Sequence, residues 1–259
     1  MKQSIVYALD FDGVICDSAI ETGIAGWKSA IQVWDGFSTA LPSKKILDQF
    51  RKVRPIMETG YEAILIIKML NDGDSVESIL MDFSNKKEKL IKDSNLDIDF
   101  LKKLFGETRD QWIKNDIDDW VKMNPLFTGV AEKLKRLASQ DVWYIITTKQ
   151  ERFVKLILTA NQIQIPDDRV FGLDKKISKE AVLVGLVEKH PEQTICFVED
   201  RFAALLNVIN NKRLKSVQLY LATWGYNSEK DKIDAKQKAI ELIELNELLI
   251  LRITINGSC

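Results

Sequence analysis

The sequence predicts an α/β fold in which a parallel sheet is covered by helices and an all-α domain is inserted after the first strand. Short apolar runs bounded by polar or turn residues recur through the second half of the chain, with helical patterns between them. Such alternation builds parallel sheets, because a parallel neighbour needs a crossover long enough to hold a helix. Between the first apolar run and the second, more than 130 residues carry no strand pattern, which is too long for one crossover. A chain of 259 residues has room for a core and a smaller inserted domain.

In chain order, the first expected strand is Ile5–Leu9. The inserted stretch then reads as helical. Tyr61–Leu70 is apolar-rich, Val76–Leu90 aligns Val76, Ile79, Leu80 and Phe83 on one stripe, and Phe100–Trp120 continues with Leu101, Leu104, Phe105, Trp112 and Ile113. Trp27, Trp34, Trp112 and Trp120 fall inside it and are expected to fill its core. Lys86, Lys87 and Lys89 read as a solvated helix face. Further strands are expected at Val142–Ile146, Arg169–Phe171 with Gly172, Ile195–Val198 and Val217–Ala222. Helices at Phe153–Ala160 and Glu180–Glu188 separate them, the second with Ser178 as its N-cap. Asp234–Leu251 reads as a terminal amphipathic helix.

Charge and rare residues narrow the chemistry. With 37 Lys+Arg against 38 Asp+Glu the net charge is −1, so the general attraction for polyanions is missing and neither a nucleic acid nor a membrane is expected as partner. No apolar run approaches the ~18 residues of a membrane span, and the first residues reach Asp10 too early for a signal peptide. A soluble, cytoplasmic protein is expected. The one histidine, His190, precedes Pro191 and is expected to be structural, and a single histidine excludes His-rich zinc sites. Cys16, Cys196 and Cys259 are odd in number and unrelated in spacing, which suits a reducing compartment. Chemistry is left to carboxylates, hydroxyls, amines and a bound metal. The sequence assigns no oligomeric state.

Directly after the first strand comes Asp10-Phe11-Asp12-Gly13-Val14, an acid pair at the carboxyl end of a parallel strand, where open α/β sheets bind their ligands. Two like charges at the end of a buried run destabilise the fold unless a cation or proton compensates them. The second strand ends in Thr147-Thr148-Lys149, which brings hydroxyls to the same edge. The fourth ends in Glu199-Asp200-Arg201, a second acid pair, and is preceded by Lys175-Lys176-Ile177-Ser178-Lys179. The order is acid pair, hydroxyl, lysine, acid pair.

This order, with Asp10-Phe11-Asp12-Gly13-Val14, Thr147, Lys179 and Glu199-Asp200 at strand ends, resembles the haloacid dehalogenase (HAD) superfamily. The resemblance is to its phosphatases with an α-helical cap after the first motif, of the phosphoglycolate phosphatase and β-phosphoglucomutase kind. It implies a Rossmann-like core from residues 1–18 and 128–259, strongest over 1–18 and 128–225, and a cap at 19–127. It also implies Mg²⁺-dependent phosphoryl transfer. Asp10 would be the nucleophile and Asp12 the general acid and then base. Thr147 would hydrogen-bond a phosphoryl oxygen, with Thr148 as the alternative or additional substrate hydroxyl. Lys179, with Lys176 as second choice, would offset the crowded negative charge. Mg²⁺ would be held by Asp10, the Asp12 carbonyl and Asp200, with Glu199 directly or through water. Arg201 would pair with Glu199 or another carboxylate, or touch substrate.

The substrate implied is a small phosphorylated metabolite. In the inserted domain, Arg51-Lys52-Val53-Arg54-Pro55 with Glu58, Thr59 and Tyr61 holds the polar candidates for its recognition, Arg54 first, against the alternative of a solvated helix end. A phosphomutase differs only in keeping water from the phosphoaspartate, and a non-catalytic binding protein would be expected to have lost Asp10 or Asp12. A C–halogen hydrolase of this kind would lack the second aspartate, and Asp12 is present. Thr223-Trp224-Gly225-Tyr226-Asn227 is placed near the site because it follows the fifth strand.

Overall fold

The computed structural model describes residues 5–250. The chain divides into two compact units, one of Met1–Asp17 with Leu126–Cys259 and the other of Ser18–Pro125. The junctions thus fall after Asp17 and Pro125, against 18 and 127 expected from the sequence.

The chain opens with β1 (Ile5–Leu9). The second unit follows with α1 (Ala19–Ala30), α2 (Lys44–Val53), α3 (Glu62–Asn71), α4 (Val76–Asp93), α5 (Ile98–Asn115) and α6 (Ile117–Lys122). The first unit then resumes with α7 (Val130–Gln140), β2 (Val142–Ile146), α8 (Glu151–Ala160), β3 (Val170–Phe171), α9 (Lys179–Lys189) and β4 (Thr194–Glu199). It ends with α10 (Phe202–Ile209), β5 (Gln218–Ala222), α11 (Glu229–Gln237), β6 (Glu241–Ile243) and α12 (Leu245–Ile250).

The strands make one six-stranded parallel sheet in the order β3-β2-β1-β4-β5-β6, a Rossmann-like α/β core. All five residues of β1 are buried, as a strand covered on both faces requires. Val6 and Ala8 pack with Leu183 and Leu186 of α9 and Leu205 and Val208 of α10. Leu9 pairs with Ile145 on β2 and with Val198 on β4. The carboxyl ends of these three strands therefore finish level, and this sets the site. Ser178 caps α9 as expected, accepting from the Ala181 amide.

The second unit is helical, with no strand among its described residues. Phe50, Ile64, Ile67, Ile79, Leu101 and Phe105 pack in its core. Trp27, Trp112 and Trp120 are buried, while Trp34 packs at the edge of that core. The helix expected over Phe100–Trp120 is broken at Asp116, whose extended backbone ends α5 and whose side chain accepts from the Asp119 amide to start α6. The lysine run is no uniformly solvated face: Lys87 reaches the buried Glu62 at 2.8 Å and Lys86 reaches Asp74, while Lys89 pairs with the exposed Asp93.

The helix expected over Asp234–Leu251 is a second correction. Helix α11 stops at Gln237, Ala239 turns left-handed at φ +57°, and β6 intervenes before α12. Ile240 and Ile243 are the buried residues that hold this edge, and the Ile243 carbonyl accepts from both the amide and the hydroxyl of Thr223. Leu251 lies outside the described residues. His190 ends α9, its Nε2 2.9 Å from the Tyr144 hydroxyl and its Nδ1 2.7 Å from Gln193 Oε1. Cys16 and Cys196 are buried and in no disulfide. Among the described residues no helix is long and apolar enough to cross a membrane.

Candidate active site

The site is assembled at the level carboxyl ends of β1, β2 and β4. Asp10 leaves β1 with its amide donating to the Val198 carbonyl at 2.9 Å, which seats it beside Glu199 at the end of β4. The chain then turns sharply: Gly13 is left-handed at φ +87°, and the Phe11 carbonyl accepts from both the Ile15 and Cys16 amides. Asp10, Glu199 and Asp200 are all buried, with one carboxylate oxygen from each within 4.8 Å of the others.

Two lysines reach three of the site's acids. The Lys179 ammonium, from the first turn of α9, lies 2.7 Å from Asp10 Oδ1 and 2.5 Å from Glu199 Oε2. The Lys149 ammonium lies 3.0 Å from Asp12 Oδ1. Burial, and then the neighbouring Glu199, push the Asp10 carboxyl up to about 7, with Lys179 opposing the shift. For Lys179, burial works against the charged form, but Asp10 and Glu199 outweigh it and raise the ammonium above its ordinary range. Three buried carboxylates with closely spaced oxygens are what a hard divalent cation satisfies, so these residues fit Mg²⁺.

Asp200 is held by backbone. Its Oδ2 accepts from the Tyr226 amide at 2.6 Å, and its carbonyl accepts from Asn227 Nδ2 at 3.1 Å. A Cβ at Gly13 would collide with the Asp200 carboxylate, and one at Gly225 would collide with both the Asp200 side chain and the Gly13 carbonyl. The Tyr226 hydroxyl donates to Asp17 Oδ1 at 2.9 Å, and Trp224 Nε1 donates to the Val14 carbonyl. Residues 223–227 thus clasp the turn that carries the first acid pair.

No protein-family description and no curated protein matches this chain. Solved structures do. A haloacid dehalogenase-like hydrolase from Streptococcus pneumoniae is 17% identical with a TM-score of 0.58, over 95% of each chain. A predicted phosphatase from Clostridium acetobutylicum is 18% identical with a TM-score of 0.57, over 96% of this chain and 97% of that one. A predicted phosphoglycolate phosphatase from Haemophilus somnus is 17% identical with a TM-score of 0.58, over 96% and 98%.

The fold is haloacid dehalogenase-like.

On this haloacid dehalogenase-like core, Asp10, Asp12, Lys179, Glu199 and Asp200 come together as described. Thr147 is buried at the end of β2, its amide donating to the Phe171 carbonyl and its Oγ1 accepting from the Lys149 amide, while Thr148 is exposed. Of the other lysines, Lys175 donates to the Val170 carbonyl and faces Glu151, and Lys176 is exposed in a left-handed turn. The Arg201 amide donates to Glu199 Oε1. Arg54 belongs to the other unit, where it begins the short turn Arg54–Ile56 after α2, and the amides of Glu58 and Thr59 donate to Glu62 Oε2. Sequence reasoning missed Lys149 and the backbone grip of Tyr226.

Proposed function

We propose that this chain is a Mg²⁺-dependent phosphatase that hydrolyses a small phosphorylated metabolite through a phosphoaspartate on Asp10. The observation that carries this reading is the buried cluster of Asp10, Glu199 and Asp200 with Lys179 across it at the sheet's carboxyl edge. The names of the similar structures from Clostridium acetobutylicum and Haemophilus somnus, a predicted phosphatase and a predicted phosphoglycolate phosphatase, support it.

In this reading Asp10, Asp200 and the Asp12 carbonyl would hold Mg²⁺, with Glu199 directly or through water. The ion, when bound, supplies positive charge against the phosphoryl oxygens. The Asp10 carboxylate attacks phosphorus, the bond from phosphorus to the ester oxygen breaks, and that oxygen takes a proton from Asp12. Asp12, now a carboxylate, removes a proton from water, whose oxygen attacks phosphorus and releases inorganic phosphate with Asp10 restored. Lys179 offsets the charge on Asp10 and the transferring group, and the Thr147 hydroxyl donates to a phosphoryl oxygen. The sum is ester and water in, alcohol and phosphate out. Thr148, exposed at the same edge, is the second substrate hydroxyl, and a cytoplasmic location fits the two buried thiols.

Hydrolysis of p-nitrophenyl phosphate tests it. Turnover is expected with Mg²⁺, is lost in EDTA and returns when Mg²⁺ is restored. Absence of turnover on this ester and across a panel of phosphorylated metabolites, with Mg²⁺ present, overturns the reading.

A further inference from the structure

We infer that Lys149 is a positioning residue that aims the Asp12 carboxyl group at the departing oxygen; this rests on the phosphatase reading above. Lysine is seldom fully buried unless paired, yet the Lys149 side chain is only 1% exposed. Its backbone is fixed on both sides: the amide donates to Thr147 Oγ1 at 3.1 Å and the carbonyl accepts from the Leu173 amide at 3.1 Å. The ammonium is therefore delivered from a rigid strand end, 3.0 Å from Asp12 Oδ1.

Asp12 is the softer partner. Its main chain sits in the turn pinned by the Phe11 carbonyl, but its side chain keeps 18% of its surface exposed. A carboxyl group on such a turn has several rotamers, and a hydrogen bond from a buried ammonium to Oδ1 favours the one observed. Proton transfer demands that selection, because donor and acceptor must meet within about 2.6–3.2 Å. Lys179 cannot supply it, since it is committed to Asp10 and Glu199. The two ammonium groups thus divide the work: Lys179 answers charge on the nucleophile, and Lys149 sets the direction of the proton donor.

The division has a kinetic signature. Protonation matters most for a basic leaving oxygen and least for an acidic one, so loss of aim should grow with leaving-group basicity. Lys149→Met, which keeps the length and removes the charge, is compared with wild type on phenyl phosphate and 2,4-dinitrophenyl phosphate with Mg²⁺, reading kcat/KM. The expected loss is at least about tenfold larger for phenyl phosphate. Lys149→Gln gives the same comparison should the methionine variant be unstable. In an Asp12→Asn background, Lys149→Met should add less than about twofold, because a residue acting through Asp12 has nothing left to aim.

The melting-temperature rise with Mg²⁺ should survive in Lys149→Met, and its loss would show that Lys149 serves the metal site instead. Equal losses on both esters, or full additivity with Asp12→Asn, overturn the inference while leaving the phosphatase reading intact. A wild-type protein that hydrolyses neither these esters nor any member of the metabolite panel overturns both.

Discussion

Both units of this molecule bury carboxylates, and they treat them in opposite ways. In the helical unit, Glu21 is met by Arg109 through two charged hydrogen bonds of 2.7 and 2.6 Å, and by Trp120 Nε1 at 3.0 Å. One negative charge faces one positive charge, with both carboxylate oxygens engaged. At the sheet edge, Asp10, Glu199 and Asp200 are buried with an oxygen from each within 4.8 Å of the others, and one ammonium, that of Lys179, bridges two of them. A buried ion pair that closes on itself holds helices together; buried carboxylates crowded at a sheet edge are the arrangement expected of a ligand site.

The sharpest way to break the contrast is Asp10→Asn. Turnover should fall by about three orders of magnitude or more, while the metal-free fold becomes no less stable because a repelled charge has gone. Wild-type-like rates in a sample verified free of deamidation would remove Asp10 from the nucleophile role. Arg109→Met is the counterpart in the helical unit: it strands Glu21 and should reduce unfolding free energy by about 3–5 kcal/mol in urea titrations. Adding Glu21→Leu should recover most of that loss, and failure to do so would mean that the pair is more than a closed structural unit.

Next in size, Lys179→Ala should lower kcat by about two orders of magnitude, against little change for Lys176→Ala, measured on p-nitrophenyl phosphate. Mg²⁺ at about a hundred times its Kd should raise the melting temperature by roughly 5–10 °C. Asp200→Ala should abolish the shift, and an unchanged shift would put the metal elsewhere. The smallest effect is on pH. The Asp10 carboxyl stands at about 7 in the fold, above its ordinary value of 3.8, so between those values the native state holds more protons than the unfolded one. Metal-free stability should therefore decline as pH rises through this window and level off above it. Chemical denaturation at a series of pH values should show this slope reduced in Asp10→Asn.

The parts of the fold legible in the sequence are those whose signal is local. β1 and β2 are read to the residue because buried parallel strands are unbroken apolar runs. The motif acids are legible because a charge at the end of such a run is conspicuous. β6 is a three-residue edge strand, too short for any periodicity to show, and its apolar residues pass for a helical stripe. Asp116 ends one helix and caps the next, and a capping aspartate looks the same in sequence as one on a solvated face. Lys149 and Tyr226 meet Asp12 and Asp200 only when distant segments fold together, so no spacing reveals them.

The clamp on Asp200 carries a consequence for how this protein acquires its chemistry. The aspartate at the end of β4 is fitted between the Gly13 turn, near the start of the chain, and Gly225, beyond β5, with no room for a methyl group at either. Neither wall exists until β1, β4 and β5 stand side by side, and the pairing of β1 with β4, Ile5 against Thr194, is the most non-local in the sheet. A nascent or partly folded chain carries the same acids without the geometry that makes them a site. On the proposed reading, cation binding waits until these strands stand together, and a bound ion would tie the first strand of the chain to the fourth.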